Sequence, residues 1–211
     1  MFWIIGICVI CLGICMPMYK YYKASLRLHL ACGYKSIGTL CAFMAAMVAA
    51  IRLNPQCWFC AAAIMLYAVA DTVLEYNFIF GAGIFLAGHI FNIAFFIKQA
   101  PVSIFHLIGF LLLSVVSGFA FWKWRNQIGK QLPAFISYGV VLMIMCVSAL
   151  ACFTTNTLSG ILIALGGALF YISDFILLRE VLFPSEKVLD WVVMFTYYSS
   201  VLLFGISCLQ L

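Results

Sequence analysis

Charged residues are scarce in this sequence. Of its 211 residues only 8% are Asp, Glu, Lys or Arg and only six are acidic, whereas 67% are hydrophobic and the mean hydropathy is +1.20. A soluble domain of this length could not hide so much apolar surface from water, so the composition excludes one. The net charge of +5 does not predict nucleic-acid binding, because the Lys and Arg residues stand in short stretches beside apolar runs.

Metal-binding and redox motifs are also lacking. The chain has only three His residues, whereas a zinc-dependent intramembrane hydrolase would need several together with an Asp. Cys57 and Cys60 form a CWFC stretch, but no second CxxC and no His pair accompanies it, so we interpret it as packing at a helix start. We expect neither a metal ion nor another cofactor.

Long apolar runs are what this sequence does contain. They cover residues 1–18, 36–53, 57–75, 81–98, 103–122, 132–153, 158–180 and 189–209. Such lengths match the roughly 20 residues that cross about 30 Å of hydrocarbon as a helix. They predict an all-α fold, a polytopic membrane helical bundle of about eight transmembrane helices in a single integral membrane domain, 1–211. The first run has no basic stretch before it and no small-residue cleavage site after it, so we expect a mature helix.

The basic residues predict an orientation in the membrane. The first, third, fifth and seventh connections hold nine Lys and Arg residues, whereas the even-numbered connections hold Arg52 and Lys98. The positive-inside rule therefore places the odd-numbered connections in the cytoplasm and both termini outside. The expected location is the bacterial cytoplasmic membrane or, in a eukaryote, the endoplasmic reticulum. The seventh connection is predicted to be a solvated loop with Arg179, Glu180, Glu186, Lys187 and Asp190.

Two of the apolar runs carry an aspartate. Asp71 lies 13 residues past Trp58 and Asp174 lies 16 past Leu158, so each sits about 20–24 Å from the entry face of its helix. A carboxylate at the centre of a membrane helix costs about 2.5–3.5 kcal/mol on insertion scales, and folding does not require that cost twice at matched depth. Such groups usually mark a pathway, a proton relay or a reactive site. The alternative is that both stay solvated near the interface.

Other polar residues are predicted at the same level. His89, Tyr197 and Tyr198 lie on helices of opposite direction, about 11–12 Å from the face that the aspartates approach. Lys35 is expected at the start of the second helix and enters from that face. These groups form one polar layer near the basic connections, although His89 is also interpretable as a hydrogen-bond donor between helices. The stretches YAVADTVL and YISDFILL hint at an internal duplication.

Two carboxyl groups in a dry pocket can divide acid from base chemistry. One keeps its proton and donates it, while the other stays ionised and orients water. This suits hydrolysis of an acid-labile bond in a lipid. Two alternative functions use the same groups: a small-solute or proton-coupled transporter would place them in its pathway, and a non-catalytic lipid-binding protein would use them to hold helices together.

The segment from Ala70 to His89 contains ADTVL and ends in GAGIFLAGH, and it is followed by GALFYISD at 167–174 and TYY at 196–198. Together these stretches resemble the YhhN family of eight-helix membrane proteins, which includes the lysoplasmalogenases. The resemblance spans Lys35 to about Leu203. It departs at Ala70, where the family often has Gly, at Asn92, where it often has Tyr, and at Val201, which replaces a usual Gln.

The resemblance implies hydrolysis of the vinyl-ether bond of lysoplasmalogens, the alkenyl glycerophosphoethanolamines and -cholines, to a fatty aldehyde and a glycerophospho-base without a metal ion. It implies that Asp71 and Asp174 act as acid and base, with the two roles left open. The residues expected to bind substrate and support the site are Lys35, His89, Asn92, Ser173, Tyr197 and Tyr198. The expected partners are the lysophospholipid substrate and membrane lipids, with no nucleic acid; the oligomeric state stays open.

Overall fold

The structure, a computed structural model, describes residues 2–183 and 187–211. These residues form helices and short turns and contain no β-strand. We number the long helices α1 to α8; α1 is composite, because the α-helices Phe2–Cys8 and Met16–Ala24 continue through the π-helix Val9–Cys15. The others are α2 (Leu28–Arg52), α3 (Cys57–Tyr76), α4 (Phe78–Gln99), α5 (Ile104–Ile128), α6 (Leu132–Ala151), α7 (Leu158–Leu182) and α8 (Lys187–Ser207).

The described residues contain seven stretches that are long and apolar enough to cross a membrane, and one of them, Ile104–Thr155, is 52 residues long. This stretch holds both α5 and α6, separated by a turn at Gly129–Gln131 in which Gly129 has φ +60°. The helices fold back on each other, since Ser114 Oγ on α5 lies 3.9 Å from Met143 Sδ on α6. The protein is therefore a polytopic helical membrane bundle, as predicted.

The first connection is much shorter than the sequence predicts. The predicted break separated runs ending at residue 18 and beginning at residue 36, yet α1 continues to Ala24 and α2 already begins at Leu28. Lys35 is consequently the eighth residue of α2 and does not stand at a helix start. The prediction was wrong because charge was taken as a sign of solvent, whereas Lys20 and Lys23 form ion pairs with carboxylates of other helices.

The prediction of a charged loop after the seventh run is also wrong for most of the residues assigned to it. Arg179 and Glu180 belong to α7 and are hydrogen-bonded to each other at 2.6 Å, and Asp190 lies in the first turn of α8. Asp190 pairs with the buried Lys20 of α1. Glu186 lies outside the described residues.

Six of the helices form a closed ring. Around it α2 packs against α3, α3 against α4, α4 against α6, α6 against α7, α7 against α8, and α8 against α2. Helix α1 packs mainly on α2 from outside, and α5 packs mainly on α6. A two-fold rotation about the ring axis would exchange α1–α4 with α5–α8, which is the arrangement that an internal duplication produces.

Side chains fill one half of the ring interior. Towards the even-numbered connections, small residues let the helices approach closely; a Cβ on Gly205 of α8 would lie 2.4 Å from the Ala42 carbonyl oxygen of α2. Cys57 and Cys60 are buried there at the start of α3, as predicted. At mid-depth the rings of Tyr67, Phe85, Phe170 and Tyr197 contact one another with centroids 5.0–6.2 Å apart. The other half holds a cavity.

Candidate active site

A cavity of about 420 Å³ opens inside the ring towards the odd-numbered connections. Tyr19, Glu75, Trp124 and Val181, from the last parts of the odd-numbered helices, line it together with Lys35, Phe78, Phe135 and Asp190 from the first parts of the even-numbered ones. Small-molecule sites commonly have volumes of about 300–1,000 Å³. Asp71 and Asp174 both line this cavity. The two aspartates thus share one space, at the end of the bundle where the polar layer was expected.

Asp71 is fully buried and is held by α2 and α8. Its Oδ2 accepts hydrogen bonds from Thr39 Oγ1 at 2.5 Å and from Tyr197 OH at 2.8 Å. Its Oδ1 lies 3.8 Å from Lys35 Nζ and has no hydrogen-bond partner among the described residues. Two donors and a cation stabilise the ionised form of this carboxyl group, and Oδ1 keeps an unused acceptor position.

Lys35 connects Asp71 to a second carboxylate, Glu75. Lys35 Nζ donates to Glu75 Oε1 at 3.1 Å, Lys23 Nζ lies 3.0 Å from Glu75 Oε2, and Tyr19 OH donates to Oε1 at 2.6 Å. The Lys35 side chain is 7% exposed and that of Lys23 is 43% exposed. Two carboxylates are therefore balanced by two ammonium groups, one deep in the cavity and one at its mouth.

Asp174 has a different environment, made of a phenol, an imidazole and aromatic rings. Tyr138 OH donates to its Oδ2 at 2.5 Å, and His89 Nε2 lies 3.8 Å from the same oxygen. Within residues 2–183 and 187–211, no ion pair joins Asp174 to a Lys or an Arg. Its side chain is 11% exposed, against 1% for Asp71. Asp174 is the more accessible of the two carboxyl groups, and among the described residues it is the one without a Lys or Arg partner.

The aspartates occupy equivalent places in the two halves of the ring. Asp71 on α3 receives hydrogen bonds from α2, the preceding helix, and from α8, the last helix of the other half. Asp174 on α7 receives one from α6, the preceding helix, and faces His89 on α4, the last helix of the other half. The helices are thus arranged alike around both carboxyl groups, while the charges are not. A difference in electrostatic surroundings lets two carboxyl groups take different catalytic roles.

The residues expected to bind substrate fall into two groups. Lys35, Ser173 and Tyr197 line the cavity. His89, Asn92 and Tyr198 are fully buried and stand behind its wall. Tyr198 OH donates to the Lys35 carbonyl oxygen at 3.0 Å and so joins α8 to α2, while the other two belong to a hydrogen-bond chain behind Asp174.

Four residues of the site were not predicted from the sequence: Tyr138, Thr39, Tyr67 and Glu75. The depth of Tyr138 in the membrane could have been predicted from the sequence. It lies six residues past Leu132, the start of α6, and hence about 9 Å from the end where the cavity opens. The depth of Thr39 could have been predicted in the same way. Depth alone does not identify a site residue, because a hydroxyl group on an apolar helix faces the ring interior or the lipid according to how the helix is rotated.

The polar side-chain groups of the cavity wall are carboxylate, ammonium, hydroxyl and phenol groups. In the part of the chain that the structure describes, no group of three or more His, Cys, Asp or Glu side chains is placed to hold a metal ion.

Fold and site together define a polytopic helical membrane protein with an internal cavity that carries two unequal carboxyl groups. The model of the YhhN family matches residues 30–208, so the chain belongs to the YhhN family. This agrees with the resemblance from Lys35 to about Leu203. Neither a curated protein nor a solved structure matches the chain.

Proposed function

We propose that this protein hydrolyses the vinyl-ether bond of lysoplasmalogens, releasing a fatty aldehyde and a glycerophospho-base. The observation that carries the proposal is that Asp71 and Asp174 line one cavity in unequal surroundings. Membership of the YhhN family supports it, because the family resemblance implies this reaction. No metal ion takes part in the proposed chemistry.

The proposed roles follow from the charges. Asp71, next to Lys35, is the ionised base that takes a proton from the attacking water in the cavity that it lines. Asp174, which is partly exposed and has no Lys or Arg partner among the described residues, is the general acid. The charged mouth around Lys23, Glu75 and Asp190 suits the zwitterionic head group, and apolar residues deeper in the cavity, such as Leu142, suit the alkenyl chain.

The reaction proceeds in two stages with balanced protons. Asp174 protonates the alkene carbon remote from the ether oxygen, which gives an oxocarbenium ion, and Asp71 takes a proton from the water that attacks it. The hemiacetal then collapses: its hydroxyl proton returns to Asp174, the bond to the glycerol oxygen breaks, and Asp71 gives its proton to that oxygen. Both carboxyl groups regain their starting states.

The test is aldehyde release from 1-alkenyl lysophosphatidylethanolamine by purified protein in micelles. Asp71→Asn and Asp174→Asn should each lower the rate about a hundred- to ten-thousandfold, because general acid–base catalysis contributes that much. Glu180→Gln, which changes a carboxylate outside the cavity, is the matched control and should keep full activity. Turnover by both Asn variants at the parental rate, or none by the parent, would refute the proposal.

A further inference from the structure

Four hydrogen bonds connect Asp174 to the interior of the ring. Asn92 Nδ2 lies 3.0 Å from Tyr67 OH, Tyr67 OH lies 2.8 Å from His89 Nδ1, His89 Nε2 lies 3.1 Å from Tyr138 OH, and Tyr138 OH lies 2.5 Å from Asp174 Oδ2. Tyr67, His89 and Asn92 have no exposed surface. The chain crosses from α4 and α3 to α6 and α7, so it links four of the six ring helices.

The first member of the chain sets its direction. An amide nitrogen only donates, so Tyr67 oxygen accepts from Asn92, and the Tyr67 hydrogen is then available for His89 Nδ1. A neutral imidazole that accepts at Nδ1 carries its hydrogen on Nε2, which donates to Tyr138. Tyr138 in turn gives its hydrogen to Asp174 Oδ2. Every hydrogen in the chain therefore points towards Asp174.

A charged His89 would fit these partners less well. An imidazolium would donate from Nδ1 as well, and Tyr67 oxygen would then accept twice while its own hydrogen had no acceptor in the described chain. Asn92 also leaves its Oδ1 buried without a partner among the described residues, a position where an apolar side chain would avoid that cost. What Asn92 contributes to the structure is the hydrogen bond that its Nδ2 donates to Tyr67 OH.

The direction decides which oxygen of Asp174 can carry a proton. Because Oδ2 already accepts the Tyr138 hydrogen, a proton on the carboxyl group belongs on Oδ1. Oδ1 makes no hydrogen bond to a described residue, and it is not among the buried unpartnered atoms. It therefore reaches the cavity that Asp174 lines. With the chain reversed, Asp174 would donate from Oδ2 to Tyr138 and its proton would be directed away from the cavity.

We infer that Tyr138 is the positioning residue of Asp174, and that Asn92, Tyr67 and His89 orient its hydroxyl hydrogen so that the acid proton is held on Oδ1, facing the substrate. The inference rests on the proposed function for its kinetic consequence. It also changes the role of His89 and Asn92, which act through Tyr138 and do not touch substrate. After proton donation, the Tyr138 hydrogen stabilises the carboxylate left on Asp174.

The first experiment determines the direction of the hydrogen bonds from the tautomer of His89 and does not depend on enzyme activity. In protein labelled with ¹⁵N-histidine and reconstituted in bicelles, the His89 signals are identified by their loss in His89→Gln, which separates them from His29 and His106. The expected result is a neutral ring with hydrogen on Nε2 and none on Nδ1. The opposite tautomer, or an imidazolium at neutral pH, would overturn the inference whatever the enzyme does.

The second experiment is kinetic. Tyr138→Phe should lower kcat about ten- to a hundredfold, the value of a hydrogen bond to a charged group, with KM changed less than about twofold. His89→Gln, whose amide both donates and accepts, should keep more activity than His89→Leu. Tyr76→Phe is the matched control, because Tyr76 OH also contacts a His Nδ1, that of His29 at 2.9 Å, but is exposed and outside the cavity.

The outcomes separate the two proposals. If the Asp→Asn variants lose activity while Tyr138→Phe keeps the parental kcat, the positioning inference fails and the hydrolase proposal stands. If the parent releases no aldehyde, the hydrolase proposal fails, and the histidine spectrum still decides the direction of the chain. A rise in KM without a change in kcat for Tyr138→Phe would show a substrate-binding role and would also overturn the inference.

Discussion

Replacing Lys35 by Met tests the charge balance of the cavity. Lys35 Nζ lies 3.8 Å from Asp71 Oδ1 and 3.1 Å from Glu75 Oε1, and its side chain is 7% exposed. Met has a similar length and no charge. The substitution leaves Glu75 with Lys23 at 3.0 Å, whereas Asp71 has no other ion pair in the described residues. One buried carboxylate therefore loses its cation.

The expected loss of stability is large. At 3.8 Å the attraction between unit charges is about 4 kcal/mol with an effective dielectric constant of about 20. Measured effects of removing one partner from a buried pair are about 3–5 kcal/mol, since the other charge stays buried and unpaired. Lys35→Met should therefore lower the free energy of unfolding by about 3–5 kcal/mol. Adding Asp71→Asn removes the unpaired charge and should restore about 2 kcal/mol.

The assay is equilibrium unfolding in micelles by a denaturing detergent, followed by tryptophan fluorescence, with aldehyde release measured in parallel. Lys35→Met is expected to be the least stable variant, and the double variant is expected to be more stable yet inactive, because Asn cannot accept a proton from water. Strictly additive losses in the double variant, or a Lys35→Met protein as stable as the parent, would refute the argument that Lys35 neutralises Asp71.

Two further predictions concern packing and orientation. A Cβ at Gly81 would lie 2.5 Å from Leu74 Cα, a backbone atom that cannot move aside, so Gly81→Ala should destabilise the protein by about 1–3 kcal/mol in the same unfolding assay. A Cβ at Gly83 would have no atom within 4 Å, so Gly83→Ala should leave the stability unchanged or raise it. An equal loss of stability in both variants would contradict the close contact of Gly81 with Leu74. A reporter active only in the cytoplasm should work when fused after Lys130 and fail after Thr155, and the reverse result would invert the orientation.

Much of the fold follows from the sequence because its causes are local. A run of apolar residues long enough to cross the bilayer forms a helix, since the backbone has no other way to satisfy its hydrogen bonds there. Helix geometry then fixes the depth of a residue from its position in the run. That is why Asp71 and Asp174 were expected at one end of the bundle. The failures came where charge was equated with solvent, as in the stretch containing Lys20, Lys23 and Lys35.

What tertiary structure alone decided is the direction in which each side chain points around its helix. Depth is set by counting residues, but rotation about the helix axis is set by which neighbours pack on it, and that depends on the order of the ring, α2–α3–α4–α6–α7–α8. This order brings Tyr138 of α6 against Asp174 and Lys35 of α2 against Asp71. The two aspartates read almost alike in sequence. Each accepts a hydrogen bond from a phenol, but Asp71 also packs beside the ammonium group of Lys35, whereas Asp174 packs beside the imidazole of His89. No local rule determines those neighbours.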